Sequence, residues 1–265
     1  MTDHLLVDVV DGVATLTFNR PKELNAFSLE MRHAMFDVVP ELEADREVRC
    51  VVLKGAGGNF MAGGDVKSFL EFTRETPEWR RSYFERRIHN LDAMLISLTR
   101  MEKPVIASVE GAAAGAGMSF MMAADMTIAD EKAIFRFAYS AIGTTPDASG
   151  SYWLPRLVGL SRAKEIAMLA DRMDANQALD WGLINRIAPA GTLAEETAKL
   201  ARRLADGPTL AYGGIKKLMN AAALNHLETQ LAMEAASFGR CAASEDWVEG
   251  VTAFNEKRKP VFRGR

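Results

Sequence analysis

Three short segments hold residue types whose spacing could do chemistry. Two are small-residue loops, Phe60-Met61-Ala62-Gly63-Gly64-Asp65 and Gly111-Ala112-Ala113-Ala114-Gly115-Ala116-Gly117, each following a β-rich run. Small side chains let a substrate approach the backbone closely. A loop that opens a helix also presents free N–H groups with the positive end of the helix dipole behind them. Two such loops facing each other can stabilise one developing oxyanion. The alternative is tight packing of helix on strand, which also wants Gly and Ala. The third segment, Thr144-Thr145-Pro146-Asp147-Ala148-Ser149-Gly150, is a turn leading into a helix. Asp147 reads either as the N-cap of that helix or as a carboxylate base beside an apolar pocket, where desolvation raises its pKa toward working pH.

Other chemistries lack their residues. His4, His33, His89 and His226 stand at no metal-ligand spacing with another His or Cys, so no metal site is expected. Cys50 and Cys241 form no CxxC pair, which fits a reducing cytoplasm. The sequence has no GxxxxGK[ST] phosphate loop and no GxSxG elbow. The second glycine loop lacks GxGxxG spacing, and no acidic residue follows at the distance a dinucleotide site needs.

These segments must be positioned by a fold. The 265 residues allow one large domain or two small ones, and 48% hydrophobic with 25% charged residues is ordinary for a globular chain. A net charge of −3 disfavours a nucleic-acid partner, the one dense basic cluster being Lys257–Arg265. The apolar stretch Gly111–Ala124 is too short and glycine-rich for a membrane span, and the N-terminus reads as a strand rather than a signal peptide. Leu5–Val10 and Val13–Phe18, separated by Asp11-Gly12, predict a β-hairpin. Ser28 predicts an N-cap. Strands are expected at Cys50–Leu53, Pro104–Val109, Met126–Ala129 and Ile134–Phe137, and a long helix at Pro77–Arg100. From Ser149 onward the pattern is helical, with no sheet of its own. Alternating strands and helices imply parallel pairing and an α/β class. A core over 1–200 and a helical assembly region over 201–265 are expected.

The motifs in order resemble the crotonase family, the enoyl-CoA hydratase/isomerase superfamily. They are Asn19-Arg20-Pro21…Asn25-Ala26, Phe60–Lys67, Lys103-Pro104-Val105-Ile106-Ala107, Glu110–Gly117, Ile142-Gly143…Pro146-Asp147, Leu154-Pro155-Arg156-Leu157-Val158-Gly159 and Ala178…Trp181-Gly182-Leu183-Ile184. The resemblance implies a spiral of β-β-α units, a helical C-terminal region that drives trimerisation, and homotrimers or hexamers. It implies an acyl-CoA substrate and no separate cofactor. The thioester carbonyl would sit between the N–H groups of Gly64 and Ala116. Ala26, Ala62, Asp65, Val66 and Lys67 match the region that binds CoA, although Lys67 also reads as a plain surface lysine. Phe254 and Lys257 match a C-terminal region that reaches CoA in a neighbouring subunit. Phe69, Phe72 and Tyr83 match the acyl tunnel.

The departures concern the reaction. Hydratases of the family carry two glutamates where this chain has Ser119 and Tyr139. A carboxylate stands instead at Asp147, where some family isomerases place their single acid/base, so the resemblance implies a double-bond shift. Ser119 and Tyr139 are then pocket lining or hydrogen-bond donors. Hydration by Asp147 with Tyr139 is the alternative, and a non-catalytic acyl-CoA-binding protein a second one. Dehalogenases of the family place a nucleophilic Asp at Asp147, but with a Trp at position 139 and a helix histidine that has no match here.

Overall fold

The computed structural model describes residues 2–265. Strands β1 (Leu5–Val10) and β2 (Val13–Phe18) form the expected hairpin. Asp11 and Gly12 adopt φ of 48° and 77°, as a two-residue loop between twisted strands requires. Ser28 caps α1 (Leu29–Ala44), its Oγ accepting from the Met31 N–H at 3.1 Å. There follow β3 (Cys50–Gly55), α2 (Pro77–Arg100), β4 (Val105–Val109), β5 (Ala112–Ala114), α3 (Ala116–Ala123), β6 (Met126–Asp130) and β7 (Ile134–Arg136). The second half holds α4 (Gly150–Val158), α5 (Leu160–Leu169), β8 (Met173–Asp174), α6 (Ala175–Asp180), β9 (Arg186–Ala188), α7 (Leu193–Ala205), α8 (Thr209–Ala222), α9 (Leu227–Ala242) and α10 (Glu245–Glu256).

The main sheet has the order β1-β2-β3-β4-β6-β9, antiparallel only between β1 and β2. A second sheet has the order β5-β7-β8. The second half is therefore not free of sheet, as its composition suggests. Strands β8 and β9 are two and three residues long, too short to show a period of two, and each completes a sheet built by the first half. Ala112–Ala114, read as loop, is a strand because β7 supplies its partner; alanine itself favours no strand. Val66–Arg74 forms a 3-10 helix that no sequence pattern marks.

Parallel strands covered on both faces read as continuous apolar runs, and β4 is buried at every position. One face packs on α1 and α2 through Met31, Met35, Leu91 and Leu98. The other packs on α7, whose Leu200, Ala201, Leu204 and Ala205 meet Cys50, Val52, Ile106 and Ile128. Helix α7 thus runs across residue 200 while lying on the sheet. Helix α3 is buried at all eight positions. That accounts for the apolar stretch of Gly111–Ala124: it is strand β5 followed by a core helix buried on every side. No helix among the described residues is long and apolar enough to cross a membrane.

Candidate active site

Main-chain pairing brings the two glycine loops side by side. Met61 forms a parallel bridge with Ala113, and Phe27 forms one with Gly64. The Ala114 N–H donates to Met61 O at 2.9 Å, and the Phe27 N–H to Gly63 O at 2.7 Å. The approach demands glycine. A Cβ on Gly117 would lie 2.1 Å from Met61 O, and one on Gly63 would lie 3.2 Å from Ala114 O and 3.7 Å from the Ala116 nitrogen. Ala116 opens α3, where N–H groups have no acceptor within the helix. Neither the Gly64 N–H nor the Ala116 N–H donates to any group among the described residues. Two unspent donors on adjoining loops can hold one oxyanion.

A hydrogen-bonded chain of side chains lies along α3. Tyr139 Oη donates to Asp147 Oδ1 at 2.6 Å. With its proton committed there, Tyr139 accepts from Ser119 Oγ at 2.9 Å. Ser119 is fully buried and Tyr139 nearly so, while Asp147 is only partly buried. Asp147 Oδ2 has no partner among the described residues, so one carboxylate oxygen is held and one is open.

The N-cap reading of Asp147 is not realised. The cap position belongs to Ser149, whose side chain makes no capping bond. Ala148 and Ser149 take left-handed φ of 47° and 66°, at a cost of roughly 1 kcal/mol or more each for L-residues. Those two residues turn the chain so that the Asp147 side chain meets Tyr139 rather than the helix end. Burial pushes the Asp147 carboxyl above its ordinary range; the Tyr139 hydrogen bond and the positive charge of Arg87 hold it down in part. Burial and the neighbouring Asp147 charge push the Tyr139 phenol well above its ordinary value.

Several further candidates gather beside the first loop. The N–H of Ala62 donates to Leu24 O at 2.9 Å. Arg20 Nη1 donates to Ala26 O at 2.8 Å and pairs with Asp65 Oδ2 at 3.0 Å. Buried Asn25 bridges the same loops, its Nδ2 donating to Ala56 O and Asn59 O at 2.8 and 2.6 Å. Val66 and Lys67 are exposed at the start of the 3-10 helix. Phe254 and Lys257 lie at the end of α10; Phe254 lines a groove of about 340 Å³ with Trp247 and Phe262, and that groove contains no residue of the loops. A larger cavity, about 520 Å³, lies at α7 beside Lys54, Glu110, Asp130 and Arg202, and is likewise separate.

Phe69, Phe72 and Tyr83 do come together, in a cluster completed by Trp79 and Phe84. A Cβ on Gly64 would lie 3.6 Å from Phe69 Cζ, so this wall adjoins the first loop. Sequence reading passed over Arg20 as an ion-pair partner and Arg87 altogether. Neither carries a local signal, because their partners are distant in the chain.

The fold is an α/β spiral in which two adjoining glycine loops carry undonated N–H groups and the helix opened by the second loop is tied through Ser119 and Tyr139 to the Asp147 carboxylate, the arrangement of an enzyme site. A family model described as enoyl-CoA hydratase/isomerase matches residues 8–265, and the chain belongs to that family. It is 39% identical to 1,2-epoxyphenylacetyl-CoA isomerase of Escherichia coli over all of both chains. It is 34% identical to the short-chain-enoyl-CoA hydratase of Clostridium acetobutylicum, over 97% of this chain and 96% of that one. Among solved structures, an enoyl-CoA hydratase from a Polaromonas species superposes with a TM-score of 0.90 at 35% identity, over 97% of this chain and 99% of that one.

Proposed function

We propose that this protein is an enoyl-CoA isomerase with Asp147 as its only acid/base. The observation that carries this reading is the hydrogen-bonded chain Ser119–Tyr139–Asp147. The two positions where hydratases carry glutamates hold hydroxyls here, and both hydroxyls are spent on supporting one carboxylate. The thioester oxygen lies between the N–H groups of Gly64 and Ala116. Asp147 Oδ2 takes the proton from the carbon next to the thioester; the C–H electron pair becomes a double bond to the carbonyl carbon, and the carbonyl π pair moves onto that oxygen, giving a dienolate. The same carboxylic acid returns the proton two carbons further along the dienolate, leaving the double bond conjugated with the carbonyl. One raised carboxyl suits both halves, since it must accept and release one proton. The two N–H dipoles stabilise the enolate without reorganising.

CoA lies along Ala26, Ala62, Asp65, Val66 and Lys67, with Phe254 and Lys257 reaching it from a neighbouring copy. A homotrimer or hexamer is consistent with exposed Leu227, Leu231 and Phe238 on α9. CoA is part of the substrate, and the reaction needs no other cofactor. The enzyme works in the cytoplasm, in keeping with two unpaired cysteines. Hydration is the second reading, favoured by the names of several relatives. It would need a second acid or base beside Asp147, and the Tyr139 proton is committed to the Asp147 carboxylate.

The test is a paired assay at the conjugated-thioester absorbance. With a trans-3-enoyl-CoA, wild type is expected to gain absorbance and Asp147→Asn to lose that gain by 10²-fold or more, roughly what a lost acid/base costs. A trans-2-enoyl-CoA losing absorbance, with no gain on the first substrate, would establish hydration instead.

A further inference from the structure

Two arginines stand behind the aromatic wall without a carboxylate. Arg87 Nη1 donates to Tyr83 Oη at 3.2 Å, and its guanidinium lies 5.4 Å from the Phe69 ring centre. Arg32 Nη1 donates to the Arg87 main-chain oxygen at 3.3 Å, and Arg32 Nε is buried with no partner. Neither guanidinium forms an ion pair among the described residues. Both are partly buried; burial first, and then the neighbouring Arg87 charge, push the Arg32 guanidinium below its ordinary value. Charges taken out of water are normally paired. The Tyr83 hydroxyl, taking a bond from Arg87, donates to nothing among the described residues.

The cluster is on the acyl side of the site. Phe69, under Arg87, is the residue whose ring edge meets Gly64, and Asp147 feels the charge of Arg87 without pairing to it. Phe69 therefore links the first loop to Arg87, whose guanidinium donates to no acceptor among the described residues other than the Tyr83 hydroxyl. An alkyl chain offers those donors no acceptor. A ligand oxygen would satisfy them.

We propose that Arg87, with Tyr83 beside it, is a specificity residue that donates to an oxygen on the acyl group, so that the preferred substrates are acyl-CoA thioesters with a hydrogen-bond-accepting oxygen beyond the reacting carbons. This rests on the isomerase reading for which end of the substrate lies here, and its test does not require turnover. Calorimetric binding is measured for two saturated thioesters of equal length, heptanoyl-CoA and 5-methoxypentanoyl-CoA. Wild type is expected to bind the methoxy compound roughly tenfold more tightly, the usual worth of a hydrogen bond from a charged donor. Arg87→Met is expected to bind the two alike, with binding of free CoA unchanged.

Equal affinities in wild type, a preference that survives in Arg87→Met, or a parallel loss of free CoA binding would each overturn the proposal. If Arg87→Met does not fold, Arg87→Lys and Tyr83→Phe carry the test. Arg87→Lys keeps the charge but not the fork. Each is expected to reduce the preference several-fold, and an undiminished preference in both would overturn it. Failure of the isomerase reading would register separately, as no absorbance gain on any 3-enoyl-CoA while the binding preference stands.

Discussion

The Tyr139 hydroxyl donates to Asp147 Oδ1 at 2.6 Å, and this contact leaves the second carboxylate oxygen free to face a substrate. The donor fixes the carboxylate's orientation and favours its charged form. It thereby offsets part of the burial that pushes the carboxyl up. One residue thus aims the proposed base and moderates its basicity.

Removing that donor should be visible in the pH profile. With Asp147 as the base, wild-type kcat/KM is expected to rise with pH as Asp147 ionises. Tyr139→Phe deletes a contact that lowers the Asp147 pKa, so the acidic limb is expected to move to higher pH. At neutral pH, kcat should fall about tenfold through lost orientation. A limb that stays in place would mean that Tyr139 only fills space.

Asp147 should also cost the fold stability. Its folded pKa lies above the ordinary value of 3.8. Above the folded pKa the native state must hold a half-buried charge; below the unfolded pKa both states are protonated and the penalty vanishes. Asp147→Asn is therefore expected to raise Tm at pH 7. The gain should shrink as pH falls through the raised pKa toward 4. Calorimetric scans of both proteins at several pH values check this, and an equal shift at every pH would refute it.

The oxyanion donor proposed on α3 can be deleted through the backbone nitrogen. Ala116 is the first residue of the helix, the one position where proline suits helix geometry. Ala116→Pro removes that N–H and puts a ring carbon in its place. Turnover is expected to fall 10²- to 10³-fold, with far-UV circular dichroism and Tm close to wild type. A fully active Ala116→Pro would exclude this N–H from the reaction.

The ion pair Arg20–Asp65 joins the two loops proposed to hold CoA. Its side chains are only 14% and 20% exposed. Arg20→Met strands the Asp65 carboxylate and frees Ala26 O, and is expected to cost about 2 kcal/mol of stability. KM for the thioester should rise more than kcat falls, because the reacting groups are elsewhere. Chemical denaturation and steady-state kinetics on one preparation give both readings.

Packing at the loop junction is equally testable. Gly117→Ala would set a methyl group 2.1 Å from Met61 O. Backbone must shift to admit it, at roughly 1–3 kcal/mol, and the two N–H groups would move apart. Stability and turnover are expected to fall together.

The sequence by itself determined much of this protein. The Asp-Gly hairpin, the Ser28 cap, the helix over Pro77–Arg100 and the parallel core strands are dictated by local conformational preference and by periodicity. The glycine loops and Asp147 were equally legible, because such residues carry their chemistry in type and spacing. The rest depended on distances between residues far apart in the chain. Strands β8 and β9 exist only because a sheet edge waits for them. The role of Asp147 turned from helix cap to hydrogen-bond acceptor because two left-handed residues aim its side chain at Tyr139, eight positions away in sequence. Arg20 found Asp65, and Arg87 found Tyr83 and the ring of Phe69. Local sequence fixes dihedral preferences within a few residues. Which polar groups share one dry compartment is decided only when the sheets and helices close around it.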